Sequence, residues 1–272
     1  MKRIISVILC ASVVLSFLAC KQVSHDDLTA PSQSLQQGTK TVYIPVKEEW
    51  IYSDGSTATF VYTYDQNNHL IQIHRGIDLD GKEIICTVSC DAQGRVLQIK
   101  HGGRGGYNET YTYDELGRVQ SYSTRGGENT YTYDDAGNLV KIETPLDEFR
   151  SNVTEYTYRD NSLTEVTYRA ADGSIICKRS YAYDSQGRIL EETVSSEGTE
   201  PQVIRYSYSE DGRTVTVTDG NQTEARIYDE HGNLISLEFI GEFVTHKCTY
   251  TYKAIEVPKN LIWKIYFAPI AH

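Results

Sequence analysis

Residues 110–122 read TYTYDELGRVQSY, and relatives of this stretch recur along the whole chain. They are YTYDQNNHL, SCDAQGRVL, YTYDDAGNLV, YAYDSQGRIL, YSYSEDGRTV and IYDEHGNLI. An active site is normally built once, whereas an architectural unit can be used many times. The recurrent aspartate, glycine and arginine are therefore interpreted as parts of a structural repeat.

Each copy of the motif has the composition of a β-hairpin. In Asp114–Gly117 the aspartate suits the first position of a type I turn, because its carboxylate can accept a backbone N–H two residues on. Gly117 can supply the positive φ of a G1 bulge. This geometry predicts Tyr113 opposite Val119 and Asp114 opposite Arg118. It predicts Tyr111, Tyr113 and Val119 on one face of the hairpin and Thr112 and Gln120 on the other.

A second kind of turn is predicted at the opposite ends of the hairpins. Asp-Gly and Gly-Gly dipeptides favour two-residue turns whose twist matches paired strands. They occur at Asp54-Gly55, Asp80-Gly81, Gly126-Gly127 and Asp172-Gly173. Turns at both ends predict an antiparallel meander.

The repeat copies follow one another at twenty-odd residues. The position after the second tyrosine falls at residues 65, 91, 114, 134, 159, 184, 209, 229 and 253. Asn161 can take a left-handed turn position, Ser209 replaces the aspartate, and Lys253 ends the series like a cap. Nine copies predict about eighteen strands, beyond the roughly ten that an open twisted sheet tolerates without curling. The predicted fold is all-β: one long, strongly curved sheet or partial shell.

The motif as it stands at Tyr113–Val119 and Tyr183–Ile189, YDxxGR followed by an aliphatic residue, resembles the YD, or RHS, repeat family. The resemblance covers roughly Val42 to Lys253. It implies a long spiralling β-sheet, and large members of the family enclose toxin domains in a hollow shell. Residues Ala254–His272 are too few to form a toxin domain, so the resemblance does not extend to an enclosed cargo of the chain's own.

The first twenty residues, MKRIISVILCASVVLSFLAC, have the basic start and apolar run of a secretory signal. Their ending, Ser16–Cys20, resembles the lipobox of bacterial lipoproteins, which implies a lipid on Cys20. Lys21 after the cysteine is similar to a signal for the outer membrane, on its cell-surface or periplasmic side. Residues 21–40 are predicted to be a flexible tether, and residues 41–272 the repeat domain.

Charge and cysteines limit the partners and cofactors. The net charge is −11, and loss of Lys2 and Arg3 with the signal takes it to −13, which disfavours nucleic acid as a partner. An oxidising compartment permits disulfides between Cys86, Cys90, Cys177 and Cys248. Cys86 and Cys90 would be roughly 13 Å apart on a strand, too far to pair directly. No cofactor or metal ligand set is predicted.

Several residues are of types that occur in functional sites. The histidines lie in different copies without a shared motif and are interpreted as surface residues: His69, His74, His101, His231 and His246. Asp78–Glu83 is interpreted as a hairpin turn because it lacks calcium-loop spacing, and Gly102–Gly106 as a hairpin loop because no helix follows it. Recurrent arginines opposite the turn aspartate, Arg95, Arg118 and Arg188, predict cross-strand ion pairs. The alternative for them is a ladder of tyrosine and arginine that binds sugars or peptides.

These observations predict a lipid-anchored envelope protein with a non-catalytic binding or structural role, for a polysaccharide or protein ligand. The alternatives are a glycan-acting enzyme whose acids come from distant copies, and an accessory shell for another secreted protein. An enzyme would need a site that departs from the repeat, and the sequence alone does not reveal one.

Overall fold

The computed structural model describes residues 39–75, 83–102, 105–146, 151–241 and 245–258. The predicted signal, Cys20, most of the tether and the Asp80-Gly81 turn lie outside these residues. The described part of the chain contains eighteen β-strands. They are β1 (Thr39–Ile51), β2 (Thr57–Tyr64), β3 (Leu70–Arg75), β4 (Glu83–Cys90), β5 (Val96–His101), β6 (Asn108–Tyr113), β7 (Val119–Thr124), β8 (Gly127–Tyr133), β9 (Leu139–Pro145), β10 (Ser151–Arg159), β11 (Ser162–Arg169), β12 (Ile175–Tyr183), β13 (Ile189–Ser195), β14 (Gln202–Tyr208), β15 (Thr214–Thr218), β16 (Gln222–Tyr228), β17 (Leu234–Gly241) and β18 (Thr245–Pro258).

Each strand pairs antiparallel with the next, so the predicted meander is confirmed, as in the registers of β6 with β7 and of β7 with β8. Strand β1 pairs with β2 and also with β18, which closes the sheet on itself. The prediction of an open curved sheet or partial shell is therefore wrong on this point. Closure removes the two exposed edges that an open sheet would present.

The ninth copy of the motif explains how the sheet closes. The first eight copies each contain a turn, but β18 continues without a turn through Lys253 to Pro258. The strand that would follow it in a complete hairpin is supplied by β1, from the other end of the sequence. Lys253 therefore lies inside the closing strand and does not cap an open end.

The motif turn has the predicted geometry. Asp114 Oδ1 accepts hydrogen bonds from the backbone N–H groups of Leu116 (3.0 Å) and Arg118 (2.8 Å). Gly117 has a φ of 76° and donates its N–H to the carbonyl of Asp114. The register places Tyr113 opposite Val119 but Thr112 opposite Ser121. Gln120 is therefore the extra residue of the bulge, and the register gives it no opposite residue in β6.

The turns at the opposite ends are of two kinds, which corrects the prediction of two-residue turns throughout. At Asp54-Gly55 and Asp172-Gly173 the glycine takes a positive φ and the backbone makes the same hydrogen bonds as in the motif turn. The aspartate, which here directly precedes the glycine, accepts the N–H of the serine that follows it. Near Gly126-Gly127 the loop has two residues, because Thr124 pairs with Gly127. Asn161 has a φ of 61°, so its predicted left-handed position is confirmed.

The described residues fall into two compact units. Residues Tyr43–Ala254 contain all the hairpins. In the other unit, residues 39–42 and 255–258 are joined by a hydrogen bond from Thr41 Oγ1 to Glu256 Oε1 (2.5 Å).

Candidate binding face

The sheet has two chemically different faces. The first tyrosines of the motifs lie on one of them, where most are in register with buried or half-buried side chains of a neighbouring strand. They are Tyr62, Tyr111, Tyr131, Tyr156, Tyr181, Tyr206 and Tyr250. We call this the tyrosine face. The opposite, threonine face carries Thr112, Thr132 and Thr157 among charged residues. The tyrosine face includes Phe60, Ile73 and Val166, each less than 5% exposed, so it lines the inside of the closed sheet.

The second tyrosine of the motif joins one copy to the previous one. Tyr133 donates its hydroxyl proton to the carbonyl of Val119 (2.9 Å), and the guanidinium of Arg118 lies 4.5 Å from the centre of the Tyr133 ring. The same contact between an arginine and the next copy's tyrosine occurs for Arg95 with Tyr113 and for Arg188 with Tyr208. These arginines and tyrosines hold neighbouring hairpins together.

The predicted ion pairs of the motif are confirmed. The Nε atoms of Arg95, Arg118 and Arg188 lie 2.5, 2.6 and 2.7 Å from the turn aspartates Asp91, Asp114 and Asp184. Each of these arginines therefore contacts both its own turn and the next tyrosine. Because both contacts occupy the guanidinium groups, the arginines are better explained as structural residues than as part of a ligand-binding ladder of tyrosine and arginine.

Three pairs of ionisable side chains contact each other on the tyrosine face. Arg179 contacts Glu192 (2.5 Å), and both side chains are less than 10% exposed. Glu192 also accepts a hydrogen bond from Tyr206 (3.1 Å). Arg226 contacts Glu224, and His101 Nε2 lies 2.8 Å from Glu109 Oε1.

One copy departs from the repeat and contains a chain of polar side chains. Val88 and Cys90 replace its two tyrosines, and Cys86 Sγ lies 3.3 Å from His101 Nδ1, whose other nitrogen faces Glu109. A cysteine nucleophile, a histidine base and an acid that orients the histidine are arranged in this order in some catalytic sites. Cys86 is only 1% exposed, however, and burial raises the pKa of its thiol to about 11. A neutral, enclosed thiol makes this chain a buried hydrogen-bond network.

The histidines are not all surface residues. His101 is largely buried, with its ring stacked 4.2 Å from that of Tyr107. The Nδ1 atoms of His74 and His246 are buried without a hydrogen-bond partner, whereas His231 is exposed. The prediction is therefore wrong for His101, His74 and His246. The partners of His101, Cys86 and Glu109, lie on two other strands and could not be identified from the spacing of histidines in the sequence.

The threonine face has a shallow groove of about 510 Å³ across β8 to β11. Its charged residues are paired: Arg169 Nε lies 2.7 Å from Glu155, and Lys178 Nζ lies 3.0 Å from Glu165. The hydrogen bond from Lys178 holds the pKa of Glu165 below its usual value. A general acid at neutral pH needs a raised pKa, so this carboxyl is poorly suited to acid catalysis.

Among the described residues, no group of three or more His, Cys, Asp or Glu side chains could hold a metal ion. The cysteines Cys86, Cys90, Cys177 and Cys248 are free thiols in the structure. The same part of the chain contains no helix long and apolar enough to cross a membrane.

The meander of tyrosine-rich hairpins agrees with the predicted resemblance to YD repeats, and a known family model matches part of the chain. The model of the Teneurin YD-shell family matches residues 34–156, which contain the first four motif turns. The predicted resemblance to YD/RHS repeats is therefore confirmed. No curated protein matches the chain.

Three solved structures align with the chain at low identity. A porin-like protein from Bacteroides uniformis is 13% identical over 77% of this chain and 98% of that one, with a TM-score of 0.45. A porin-like protein from Bacteroides vulgatus is 12% identical over the same shares, with a TM-score of 0.37. The Photorhabdus luminescens Tc holotoxin pore is 14% identical over 71% of this chain but only 14% of that one, with a TM-score of 0.30. At these identities no alignment assigns a function.

Proposed function

We propose that this chain is a non-catalytic, shell-type binding protein that acts as an accessory to another exported protein and holds a polypeptide on its tyrosine face. The observation that carries the proposal is the continuity of that face around a closed sheet. Tyrosine offers a broad apolar surface and a hydroxyl group at low conformational cost, which suits contact with a polypeptide. The match to a YD-shell family supports the shell-type assignment.

The exposure of the tyrosines supports the same proposal. An aromatic sheet face is usually covered by a second layer. Here the described strands belong to one sheet, and no helix or second sheet among them covers the tyrosine rings. Tyr111, Tyr131 and Tyr206 remain half-buried. Burial raises the pKa values of all three, so their hydroxyl groups stay protonated and can donate hydrogen bonds.

The pairing of charged groups supports a non-catalytic role. Glu192 is hydrogen-bonded to Arg179 and Tyr206, and Cys86 is a neutral, buried thiol. An acid–base pair needs one carboxyl with a raised pKa beside one that stays ionised. Glu192, Glu224 and Glu109 are instead paired with basic neighbours within the sheet.

Binding of an unfolded polypeptide to residues 21–272 tests the proposal. The probe is a fluorescent, carbamidomethylated polypeptide that cannot fold, measured by anisotropy. Replacing Tyr111, Tyr131 or Tyr206 by leucine, one at a time, should weaken binding by a few fold each, because each half-buried ring supplies a share of the contact area. Thr132→Ala, on the opposite face, is the matched control and should leave binding unchanged. Absence of binding, or an equal loss with Thr132→Ala, would overturn the proposal.

A lipid anchor on Cys20 is a separate proposal about location. The motif Ser16–Cys20 and the following Lys21 support an outer-membrane lipoprotein. Cys20→Ser should leave the precursor uncut and move the protein out of the detergent-extracted membrane fraction. Normal processing of that variant would contradict the anchor.

A second candidate function is polysaccharide binding by the groove of the threonine face. Its size falls within the range of small-ligand sites, and its threonine hydroxyls and paired charges could contact sugar hydroxyls. A glycan array separates this candidate from the first, because Thr132→Ala and Thr157→Ala should then reduce binding while Tyr111→Leu should not.

A further inference from the structure

Glu48 is a buried carboxylate where the sheet closes. It lies on β1 and faces the tyrosine side, in register with Phe60 of β2, and it is 8% exposed. Its Oε2 accepts a hydrogen bond from Tyr62 (2.6 Å), and its Oε1 accepts one from the indole N–H of Trp50. Cys248 of β18 lies 3.6 Å from Oε1. These donors are all uncharged.

The other buried glutamates of the tyrosine face have basic partners. Glu192 is paired with Arg179, and Glu224 with Arg226. Glu109 contacts His101. Among the described residues, no lysine, arginine or histidine nitrogen lies within 4 Å of Glu48. Glu48 therefore differs from its counterparts by the absence of a basic partner.

A buried carboxylate without a cation is costly. Removing an ionised group from water costs several kcal/mol unless an opposite charge and hydrogen bonds compensate. The neutral donors supply the hydrogen bonds but not the charge. Burial, and then the charge of Glu48, raise the pKa values of Tyr62 and Tyr250. Both phenols therefore stay protonated and cannot change the charge of the site.

The surroundings of Glu48 suit an organic cation. Trp50, Tyr62 and Tyr250 bring aromatic rings to the carboxylate from three neighbouring strands, and Tyr52 stacks on Trp50 at 6.2 Å. Aromatic rings attract cations through their faces, most strongly for tryptophan. A single carboxylate does not meet the six or more oxygen ligands that Ca²⁺ or Mg²⁺ requires. Glu48 is 8% exposed, compared with 2% for Glu192.

We infer that Glu48, with Trp50, Tyr62 and Tyr250, binds the cationic side chain of a lysine or arginine of the guest polypeptide. This inference rests on the proposed function and specifies which guest residue is recognised at the closure of the sheet. The net charge of −11 favours a cationic guest throughout. The uncompensated charge of Glu48 then has a function, because the guest supplies the missing partner.

Small amines test this site without a guest polypeptide. The probe is n-butylammonium, a mimic of the lysine side chain, compared with n-butanol and with sodium chloride at equal ionic strength. Butylammonium should raise the melting temperature of the wild type in a saturable manner, whereas the neutral alcohol and sodium should not. Glu48→Gln should weaken the apparent affinity by about tenfold or more. Equal effects of butylammonium and butanol on the wild type would overturn the inference, even if the variant did not fold.

Glu192→Gln is the matched control. It removes a charge from the same face but leaves Arg179 buried without its partner, so it should lower the melting temperature while amine binding is retained. Glu48→Gln should leave the melting temperature of the free chain unchanged or higher, since it removes an uncompensated charge. A lower melting temperature with unchanged amine affinity would show that Glu48 only holds the closing strands together.

Guest peptides separate the failure of this inference from the failure of the proposed function. An extended peptide with lysines should bind the wild type more tightly than its alanine counterpart, and Glu48→Gln should abolish that difference. Equal binding of both peptides to the wild type would contradict the inference and leave the proposed function intact. Absence of binding by either peptide would contradict the proposed function, while the amine titration would still decide the role of Glu48.

Discussion

Three residues of the motif have different structural roles. In the hairpin of β6 and β7, Asp114 fixes the turn, Gly117 provides the positive φ, and Arg118 reaches the next copy. The first two tasks are local, so the sequence predicted them correctly. The stacking of Arg118 on Tyr133 was not predicted, because it depends on which strands become neighbours.

The motif glycine should matter more for stability than the motif aspartate. Gly117→Val should cost more than about 1 kcal/mol of unfolding free energy, since a β-branched residue is strained at positive φ. Gly126→Ala is the control: this glycine has no positive φ, and an added Cβ would meet only Thr124 Oγ1 at 3.6 Å. Denaturant unfolding of both variants checks the prediction. Equal midpoints for Gly117→Val and the parent would mean that the turn has been assigned wrongly.

The motif aspartate should contribute little to the free energy of unfolding, and its contribution should depend on pH. Burial alone would raise the pKa of Asp114, but hydrogen bonds from the backbone and side chain of Arg118 outweigh it and lower the pKa. A lowered pKa stabilises the fold at neutral pH, and this contribution is lost as the pH falls below the ordinary value of 3.8. Asp114→Asn keeps the local acceptor, so it should cost under about 1 kcal/mol at pH 7.

That difference should shrink in acid, because protonated Asp114 resembles asparagine. Melting curves of the variant and the parent at pH 7 and at pH near 3 give the comparison. A difference that grew on acidification would show that Asp114 is not stabilised as a carboxylate. If Asp114→Asn abolished ligand binding while the fold stayed intact, the motif would have a direct role in function.

Neighbouring hairpins are coupled by contacts that recur in several copies of the motif. Arg118 belongs to the turn between β6 and β7, and Tyr133 belongs to β8. The tyrosine ring lies under the guanidinium, and its hydroxyl group binds the carbonyl of Val119. Both contacts cross from one copy to the next, so they should contribute to the cooperativity of the repeat array.

A double-mutant cycle measures this coupling. Arg118→Ala and Tyr133→Leu should each destabilise the chain, and the double variant should lose less than the sum, with a coupling energy of about 0.5–1 kcal/mol. Arg213 with Tyr133 is a suitable control pair, because Arg213 lies on a distant turn and contacts Asp211. Strict additivity for Arg118 and Tyr133 would show that the two hairpins are held together by backbone pairing alone.

The number of strands was predictable from the sequence, but their closure was not. The copies predicted about eighteen strands because each motif encodes its own hairpin. Closure depends on β1 and β18, which are separated by about two hundred residues, and β1 carries no motif. The site at Glu48 could not be predicted for the same reason, because Cys248 is remote from Glu48 in the sequence. The conformation of each turn is determined by adjacent residues. Contacts between β1 and β18 depend instead on the accumulated twist of all the hairpins.

Closure predicts how hydrogen exchange is distributed over the strands. In an open sheet the first and last strands fray, because each has one neighbour and low local stability. In the closed sheet β1 pairs with both β2 and β18, and the side chains of Ile44 and Cys248 are fully buried. The amides of Lys47–Ile51 and Thr245–Thr249 should therefore exchange as slowly as those of β8. Residues 196–201, which connect β13 and β14, are the fast-exchanging control.

A truncated chain that begins after Ile51 completes the test. Removing β1 converts β2 and β18 into edge strands and exposes Phe60 and Cys248, so protection should fall first in those two strands and remain in β8 to β11. The truncated chain should also associate more readily, because free strand edges can pair with other chains. If β1 exchanged rapidly in the intact chain and its removal left β2 and β18 equally protected, the sheet would be open in solution. The site at Glu48 would then lose its basis as well, because its donors come from both sides of the closing strand.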